Sequence, residues 1–215
     1  MLEWYHGYED KDRFGNVTRI PGLIQRLVNE AQRLKESSNL GERFGNRTFG
    51  NFDPRFDRDM FNVCRTYANN DNLFRMKKNS LIINGNVGTG KTHMAASIAN
   101  ALIGRGVPVL FATFSEHLEH IREEFDHTGQ KQYLSMMKNT PMLVLDDLGK
   151  ERKTDWTQQI LFDVVNYRYE HLLPIVITTN MDLEDMAKHT GNAVFSRLYE
   201  ISGAVTASGK DYRKQ

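Results

Sequence analysis

The order of apolar and polar positions along the chain divides most of it into alternating strands and helices. Four short apolar runs, each rich in Val, Ile, Leu or Phe, cover residues 80–84, 107–113, 142–146 and 175–179. Such runs are typical of strands buried on both faces of a parallel sheet. Apolar residues at three- and four-residue steps predict helices over residues 56–74, 91–104, 155–172 and 182–188. Trp156 and Leu172 are expected among the buried residues. The alternation predicts an α/β three-layer sandwich.

The part of the chain before this alternation has a different pattern. Residues 1–19 show no apolar period, whereas residues 20–38 repeat apolar positions at helical spacing. Residues 37–54 scatter glycine and asparagine among polar residues, which is typical of a linker. We therefore predict a short helical N-terminal extension over residues 1–46 and an α/β domain over residues 47–215.

The segment between the first predicted strand and the next helix matches the Walker A pattern, G-x-x-x-x-G-K-T. Glycines let the main chain curl so that its N–H groups face a phosphate, and the following helix adds its positive N-terminal dipole. Lys91 is expected to reach the β- and γ-phosphates of ATP, and the Thr92 hydroxyl to bind Mg²⁺. An incidental glycine-rich turn is the alternative. The predicted nucleotide-binding residues are Gly85, Asn86, Val87, Gly88, Thr89, Gly90, Lys91, Thr92 and His93.

Two carboxylates follow the apolar run 142–146, as in a Walker B strand. Ligands of open α/β sheets bind at the carboxyl ends of the strands, where Asp146 and Asp147 would lie. Asp146 is the expected Mg²⁺ ligand, and Asp147 the base that orients and deprotonates the attacking water. The strand at 175–179 is predicted to lie between the strands of the two motifs. Asn180, at its tip, would then face the γ-phosphate or cap the following helix.

Bulk composition narrows the class of protein without identifying it. The net charge of the 215 residues is only +1, so any nucleic-acid site has to be a local patch. A single cysteine, Cys64, excludes an internal disulfide and a cysteine-based zinc site. The N-terminus lacks the apolar core of a signal peptide, and no apolar run approaches the ~18 residues that span a membrane. These features predict a cytoplasmic protein without membrane contact.

With these residues in place, the chain resembles the DnaC/IstB-like branch of AAA+ ATPases, which comprises replicative-helicase loaders and transposition helpers. The resemblance covers about residues 47–213. The matching segments are Arg47–Asp53, Gly85–Thr92, Asp146–Gly149, Asn166–Glu170, Thr178–Asn180 and Ser196–Leu198. The Walker motifs occur in many families, but the other segments are much more specific. The resemblance implies a P-loop NTPase fold with an AAA+ core and no full lid domain.

The resemblance also implies roles for three residues outside the Walker motifs. Asn180 would be the sensor of the γ-phosphate, and Arg197 the arginine finger that reaches the ATP site of a neighbouring subunit. Arg213 would resemble the second sensor arginine. Asp147 stands where Glu is commoner, so its carboxylate is one methylene short and slow ATP hydrolysis is expected.

The implied function is ATP-switched loading of a replicative DNA helicase onto single-stranded DNA, with self-association through the ATP sites. Three alternatives remain: an IstB-like ATPase helper of a transposase, a non-hydrolysing ATP-dependent scaffold and, least favoured, a metabolite kinase. Residues 147–180 contain no segment suited to a kinase lid. The helix at 20–35 either binds the helicase with its apolar face or packs on the chain's own core. Hydrolysis would be slow and stimulated by DNA or a partner.

Residues 115–138 are the candidate DNA surface. Loader-type AAA+ proteins place an extra helical element here, facing single-stranded DNA. Basic residues such as Lys131 and Lys138 alternate with aromatic Phe125 and Tyr133, a mixture that can pair with phosphates and stack on bases. Acidic residues lie among them, so an ordinary solvated amphipathic helix is the alternative.

Overall fold

A computed structural model describes residues 23–128 and 132–209 of the chain. Its strands are β1 (Ser80–Gly85), β2 (Val109–Thr113), β3 (Met142–Leu148), β4 (Ile175–Thr179) and β5 (Ser202–Ala207). The helices are α1 (Leu23–Glu36), α2 (Gly41–Gly45), α3 (Arg58–Ala68), α4 (Lys91–Ile103), α5 (Phe114–Thr128), α6 (Gln132–Asn139), α7 (Asp155–Glu170), α8 (Leu183–Thr190) and α9 (Asn192–Ile201). Short 3-10 turns cover Phe49–Asn51 and Leu73–Arg75. No helix of this described part has the length and apolar content needed to span a membrane.

All five strands belong to one parallel sheet, in the order β2–β3–β4–β1–β5. The strand of the second motif, β3, is therefore separated from β1 by β4, as the sequence predicted. Parallel pairing brings the carboxyl ends of β1, β3 and β4 to the same edge of the sheet. The two Walker segments and the Thr-Thr-Asn segment consequently meet at that edge.

Successive residues of the central strands enter cores on opposite faces of the sheet. Ile83 and Val144 pack with α3 and α4 on one face, whereas Ile82 and Leu145 pack with α5 to α9 on the other. Both cores consist of buried apolar side chains. The predicted three-layer sandwich is thus confirmed, and both faces of the sheet are covered.

The structure corrects one predicted helix end, the predicted burial of two side chains and the number of strands. The helix predicted over 56–74 ends at Ala68, where the chain turns and forms a short 3-10 turn. Trp156 and Leu172, predicted to be buried, are 38% and 53% exposed because they lie at the first turn of α7 and just beyond its end. The strand β5 was not predicted, since residues 203–206 are mostly exposed and carry no continuous apolar run.

The segment predicted as a linker, residues 37–54, is instead packed on the core. Leu40 and Phe52 are 1% and 4% exposed, and both belong to the core on the α3–α4 face. The Asn100 side chain of α4 donates hydrogen bonds to the main-chain oxygens of Phe44 and Arg47, at 3.0 and 2.7 Å. Apolar residues spaced between the glycines account for this packing. The glycine content of the segment led to the linker prediction. The boundary at residues 46/47 stays a prediction.

Candidate nucleotide site

The Walker A segment forms a curled loop between β1 and α4, and its glycines are required by geometry. Gly85, Gly88 and Gly90 have φ values of +139°, +84° and +92°. Side chains rarely adopt these conformations. A Cβ atom on Gly85 would lie 2.4 Å from the carbonyl oxygen of Ala207, and one on Gly90 would lie 2.8 Å from the Phe52 ring. The loop therefore keeps its shape only with glycine at these positions.

The Lys91 side chain lies inside this loop. It is only 5% exposed, and its ammonium donates hydrogen bonds to the carbonyl oxygens of Gly85 (2.8 Å) and Asn86 (2.7 Å). The Thr89 hydroxyl also donates to the Asn86 oxygen, at 2.9 Å. Lys91 begins α4, so its positive charge is added to the N-terminal end of a 13-residue helix. A cation, curled main chain and helix N-terminus together form a site that favours anions.

The carboxylate of Asp146 accepts hydrogen bonds from two hydroxyl groups. The Thr92 Oγ1 atom donates to both of its oxygens, at 3.0 and 3.1 Å, and Thr178 Oγ1 donates to Oδ1 at 2.5 Å. Asp146 is 1% exposed. Burial raises the pKa of its carboxyl to about 6, and the neighbouring Asp147 charge adds to this, although the two hydroxyl groups act in the opposite direction. Mg²⁺ prefers oxygen ligands, and the Asp146 carboxylate and the Thr92 hydroxyl place such oxygens next to each other.

Asp147 has an unusual main-chain conformation. Its φ is +54°, which few non-glycine residues adopt. Its N–H donates to Thr178 Oγ1 at 2.9 Å, and its carboxylate forms an ion pair of 2.6 Å with the Lys150 ammonium. Hydrogen bonds through Thr178 thus connect the expected metal ligands, Thr92 and Asp146, with the expected base, Asp147. Both Lys150 and Thr178 were missed by the sequence interpretation.

The other predicted site residues are placed less centrally. Asn180 is exposed and follows β4 at the carboxyl edge of the sheet. The His93 side chain contacts the segment before α3: its Nε2 lies 3.0 Å from the Thr48 oxygen, and its ring packs against Phe52. Burial lowers the pKa of this imidazole. The nucleotide-binding role of His93 stays a prediction. Arg213 lies outside the described residues.

Arg197 packs against its own chain. Its Nη1 donates to the Ala193 oxygen at 2.9 Å, within α9. Its guanidinium carbon lies 5.6 Å from the ring centre of Phe162 and 5.8 Å from that of Tyr169, both on α7. These contacts hold the Arg197 side chain against α7 of its own chain. The trans role remains a prediction.

The candidate DNA surface divides between α5 and α6. His117 is fully buried, between the Tyr133 hydroxyl (2.9 Å) and the Val144 oxygen (3.0 Å), and burial lowers its pKa to about 4. It therefore belongs to the core. The Lys138 ammonium lies 6.0 Å from the ring centre of Tyr167 on α7. Lys131 lies outside the described residues, and the side chain of Phe125 is not described.

The chain is similar in sequence and in structure to known ATP-binding proteins. A family model described as "IstB-like ATP binding protein" matches residues 22–215. The chain is 30% identical to the phage-like element PBSX protein XkdC of Bacillus subtilis, over 89% of this chain and 77% of that protein. It is 32% identical to the replicative helicase loader DnaC of Escherichia coli K12, over 55% of this chain and 49% of DnaC, and so spans about half the length of that relative. A crystal structure of the DnaC helicase loader superimposes with a TM-score of 0.69 at 26% identity, covering 78% of this chain and all of that one.

Proposed function

Because the chain belongs to the IstB-like ATP-binding protein family, we propose that its group of Lys91, Thr92, Asp146 and Asp147 binds and hydrolyses ATP to load a replicative helicase onto single-stranded DNA. Its AAA+ P-loop fold and ATP-binding family support the nucleotide part of this proposal. The observation that carries the loader part is the match to the DnaC helicase loader, which is covered over its entire solved chain.

Each side chain of the group has a distinct task in the proposed reaction. Lys91, inside the phosphate loop, neutralises the β- and γ-phosphates of ATP. Thr92 and Asp146 would hold Mg²⁺, which when bound would offset negative charge on the phosphates. Asp147 accepts a proton from the attacking water. The contact of its carboxylate with the Lys150 ammonium, at 2.6 Å, competes with that role. Slow unstimulated turnover is therefore expected.

The proposed partners are a replicative helicase, single-stranded DNA and further copies of the chain. Arg197, which packs against α7 of its own chain, would complete the ATP site of a neighbouring copy. Lys138 is the described basic residue of the candidate DNA surface that we propose contacts DNA phosphates. Asn180 is proposed to read the γ-phosphate from the carboxyl edge of the sheet.

An ATPase helper of a transposase is the second candidate. The observation in its favour is the family model itself, whose description names IstB and which matches residues 22–215. The two candidates share the nucleotide chemistry and differ in DNA form and in protein partner. A loader binds single-stranded DNA, whereas the helper engages duplex DNA.

Affinity capture with the purified chain tests the choice of partner. The bait is presented to host lysate with ATP and Mg²⁺, and Lys91→Ala bait serves as the matched control. Recovery of a replicative helicase with the unchanged bait alone supports loading. Recovery of a transposase instead reverses the ranking, and equal recovery with both baits removes ATP from the mechanism.

DNA binding by the purified protein gives an independent comparison. Binding to single-stranded DNA should need ATP and weaken as salt rises, because phosphate contacts release counterions. Lys138→Glu should weaken it, whereas Lys78→Glu, an exposed lysine before β1, should not. Preference for duplex DNA, or insensitivity to salt, would favour the transposase helper.

A further inference from the structure

The pairing of β3 with β4 is interrupted at the two carboxylates. Leu145 pairs with Ile177, but the next pair joins Leu148 to Thr179. Two residues of β3, Asp146 and Asp147, therefore stand opposite one residue of β4, which is Thr178. This is the arrangement of a β-bulge, in which an extra residue loses its regular main-chain partner.

The Thr178 hydroxyl bonds to both residues of the bulge. It accepts a hydrogen bond from the Asp147 N–H at 2.9 Å and donates to Asp146 Oδ1 at 2.5 Å. The direction of both bonds is fixed, because an N–H can only donate and a hydroxyl has one proton to give. One hydroxyl thus holds the main chain of Asp147 in its left-handed conformation and the side chain of Asp146 toward Thr92.

From this geometry we infer that Thr178 is a positioning residue for the proposed ATPase site. It sets the orientation of the Mg²⁺-binding carboxylate and the direction in which the Asp147 side chain leaves the strand. Thr178 is 0% exposed, so it acts through these two residues and does not itself touch nucleotide. The preceding residues of β4 are apolar, and a buried hydroxyl in such a strand is costly unless it is bonded. The inference rests on the proposed nucleotide function of the same site.

Thr178→Val removes the hydroxyl and keeps the shape of the side chain. Turnover of ATP should fall by about tenfold or more, and the increase in nucleotide affinity caused by Mg²⁺ should be lost. Nucleotide affinity in EDTA should change less than about twofold, because Lys91 and the loop are untouched. Thr178→Ser restores the hydroxyl and should restore both turnover and the Mg²⁺ effect. If the valine variant does not fold, Thr178→Cys, with a weaker donor, serves in the same comparison.

The neighbouring Thr179 is a matched control. It is also 0% exposed, and its hydroxyl also makes two bonds, to the Leu148 oxygen (2.8 Å) and from the Met181 N–H (3.1 Å), neither of them to a carboxylate. Thr179→Val should lower the melting temperature to a similar extent while leaving the Mg²⁺ effect intact.

The outcomes separate this inference from the function on which it rests. If the unchanged protein binds no ATP, the proposed function fails. If it binds and hydrolyses ATP but both valine variants lose turnover in step with melting temperature, Thr178 has only a structural role. A Thr178→Val protein with normal turnover and a normal Mg²⁺ effect would also overturn the inference.

Discussion

Lys91 lies with its ammonium against two carbonyl oxygens of the curled loop, at the start of α4. Removing it as Lys91→Ala should weaken ATP binding by about tenfold or more, because a charge-assisted contact to phosphate is lost. Calorimetry in Mg²⁺ measures the change, with Lys78→Ala as the control for loss of one positive charge. Unchanged affinity in the Lys91 variant would remove the phosphate-loop assignment.

Asp146 predicts a dependence of stability on pH. Its folded pKa of about 6 lies above the ordinary value of ~3.9, so the folded protein holds a proton that the unfolded chain releases between these values. The stability from this proton is fully present below about pH 4 and is lost as pH rises through 6. Relative to Asp146→Asn, the unfolding free energy of the unchanged protein should fall by roughly 3 kcal/mol from pH 4 to pH 7.

Urea unfolding of both proteins across that pH range, without Mg²⁺, isolates the effect of this site because carboxylates away from it titrate equally in the two. Adding Mg²⁺ near pH 7 should stabilise the unchanged protein alone, since the ionised carboxylate then has a cation. Parallel curves for the two proteins would contradict the raised pKa.

At the scale of elements, four strands were predictable because both of their faces are buried, so each is a continuous apolar run. The strand β5 was not, because its outer residues face solvent and one of them is Gly203. The proposed roles of residues at the end of β4 could be predicted only in part, for a related reason. The sequence singled out Asn180, but the role that we infer for Thr178 depends on a bulge in a different strand, and no local pattern encodes that register.

Arg168 of α7 joins three elements at the edge of the sheet opposite the nucleotide site. It is fully buried, and burial lowers its pKa to about 9. Its guanidinium donates to the main-chain oxygens of Met137, Lys138, Thr140, Pro141 and Pro174. These oxygens belong to the end of α6 and to the residues that lead into β3 and β4.

Arg168→Lys leaves several of these oxygens without donors, so the free energy of unfolding should fall by about 3 kcal/mol or more. ATP affinity should change less than about twofold, because the altered contacts are at the amino ends of the strands. Urea unfolding and calorimetry check the two statements. Arg105 donates to the Ala68 oxygen and to the exposed Asp71 carboxylate. Arg105→Lys should therefore lower the free energy of unfolding by less than Arg168→Lys does. A large loss of affinity would show that the two edges are coupled.

At the scale of the whole molecule, the proposed trans role of Arg197 would make hydrolysis a property of an assembly. Arg197→Ala should leave ATP affinity of the isolated chain nearly intact and abolish turnover, because the guanidinium would serve a neighbouring site. Arg197→Ala keeps an intact nucleotide site, and Asp147→Asn keeps an intact arginine. Mixing the two inactive proteins should therefore recover part of the turnover.

A mixture of Asp147→Asn with Lys91→Ala is the matched control, because both defects then fall in the same half of the site. That mixture should stay inactive. If the first mixture also stays inactive at every ratio, Arg197 does not act in trans.

The central place of β4 also has a consequence for synthesis on the ribosome. Both motif segments have been made once residue 147 is joined, but the strand that lies between them is residues 175–179. The strand that lies against Gly85 comes later still, ending at Ala207. A nascent chain that contains every expected phosphate and metal ligand therefore still lacks the framework that brings them together. We therefore expect nucleotide capture to follow the synthesis of β4 and β5, and ATP to stabilise chains that contain both strands in preference to shorter nascent ones.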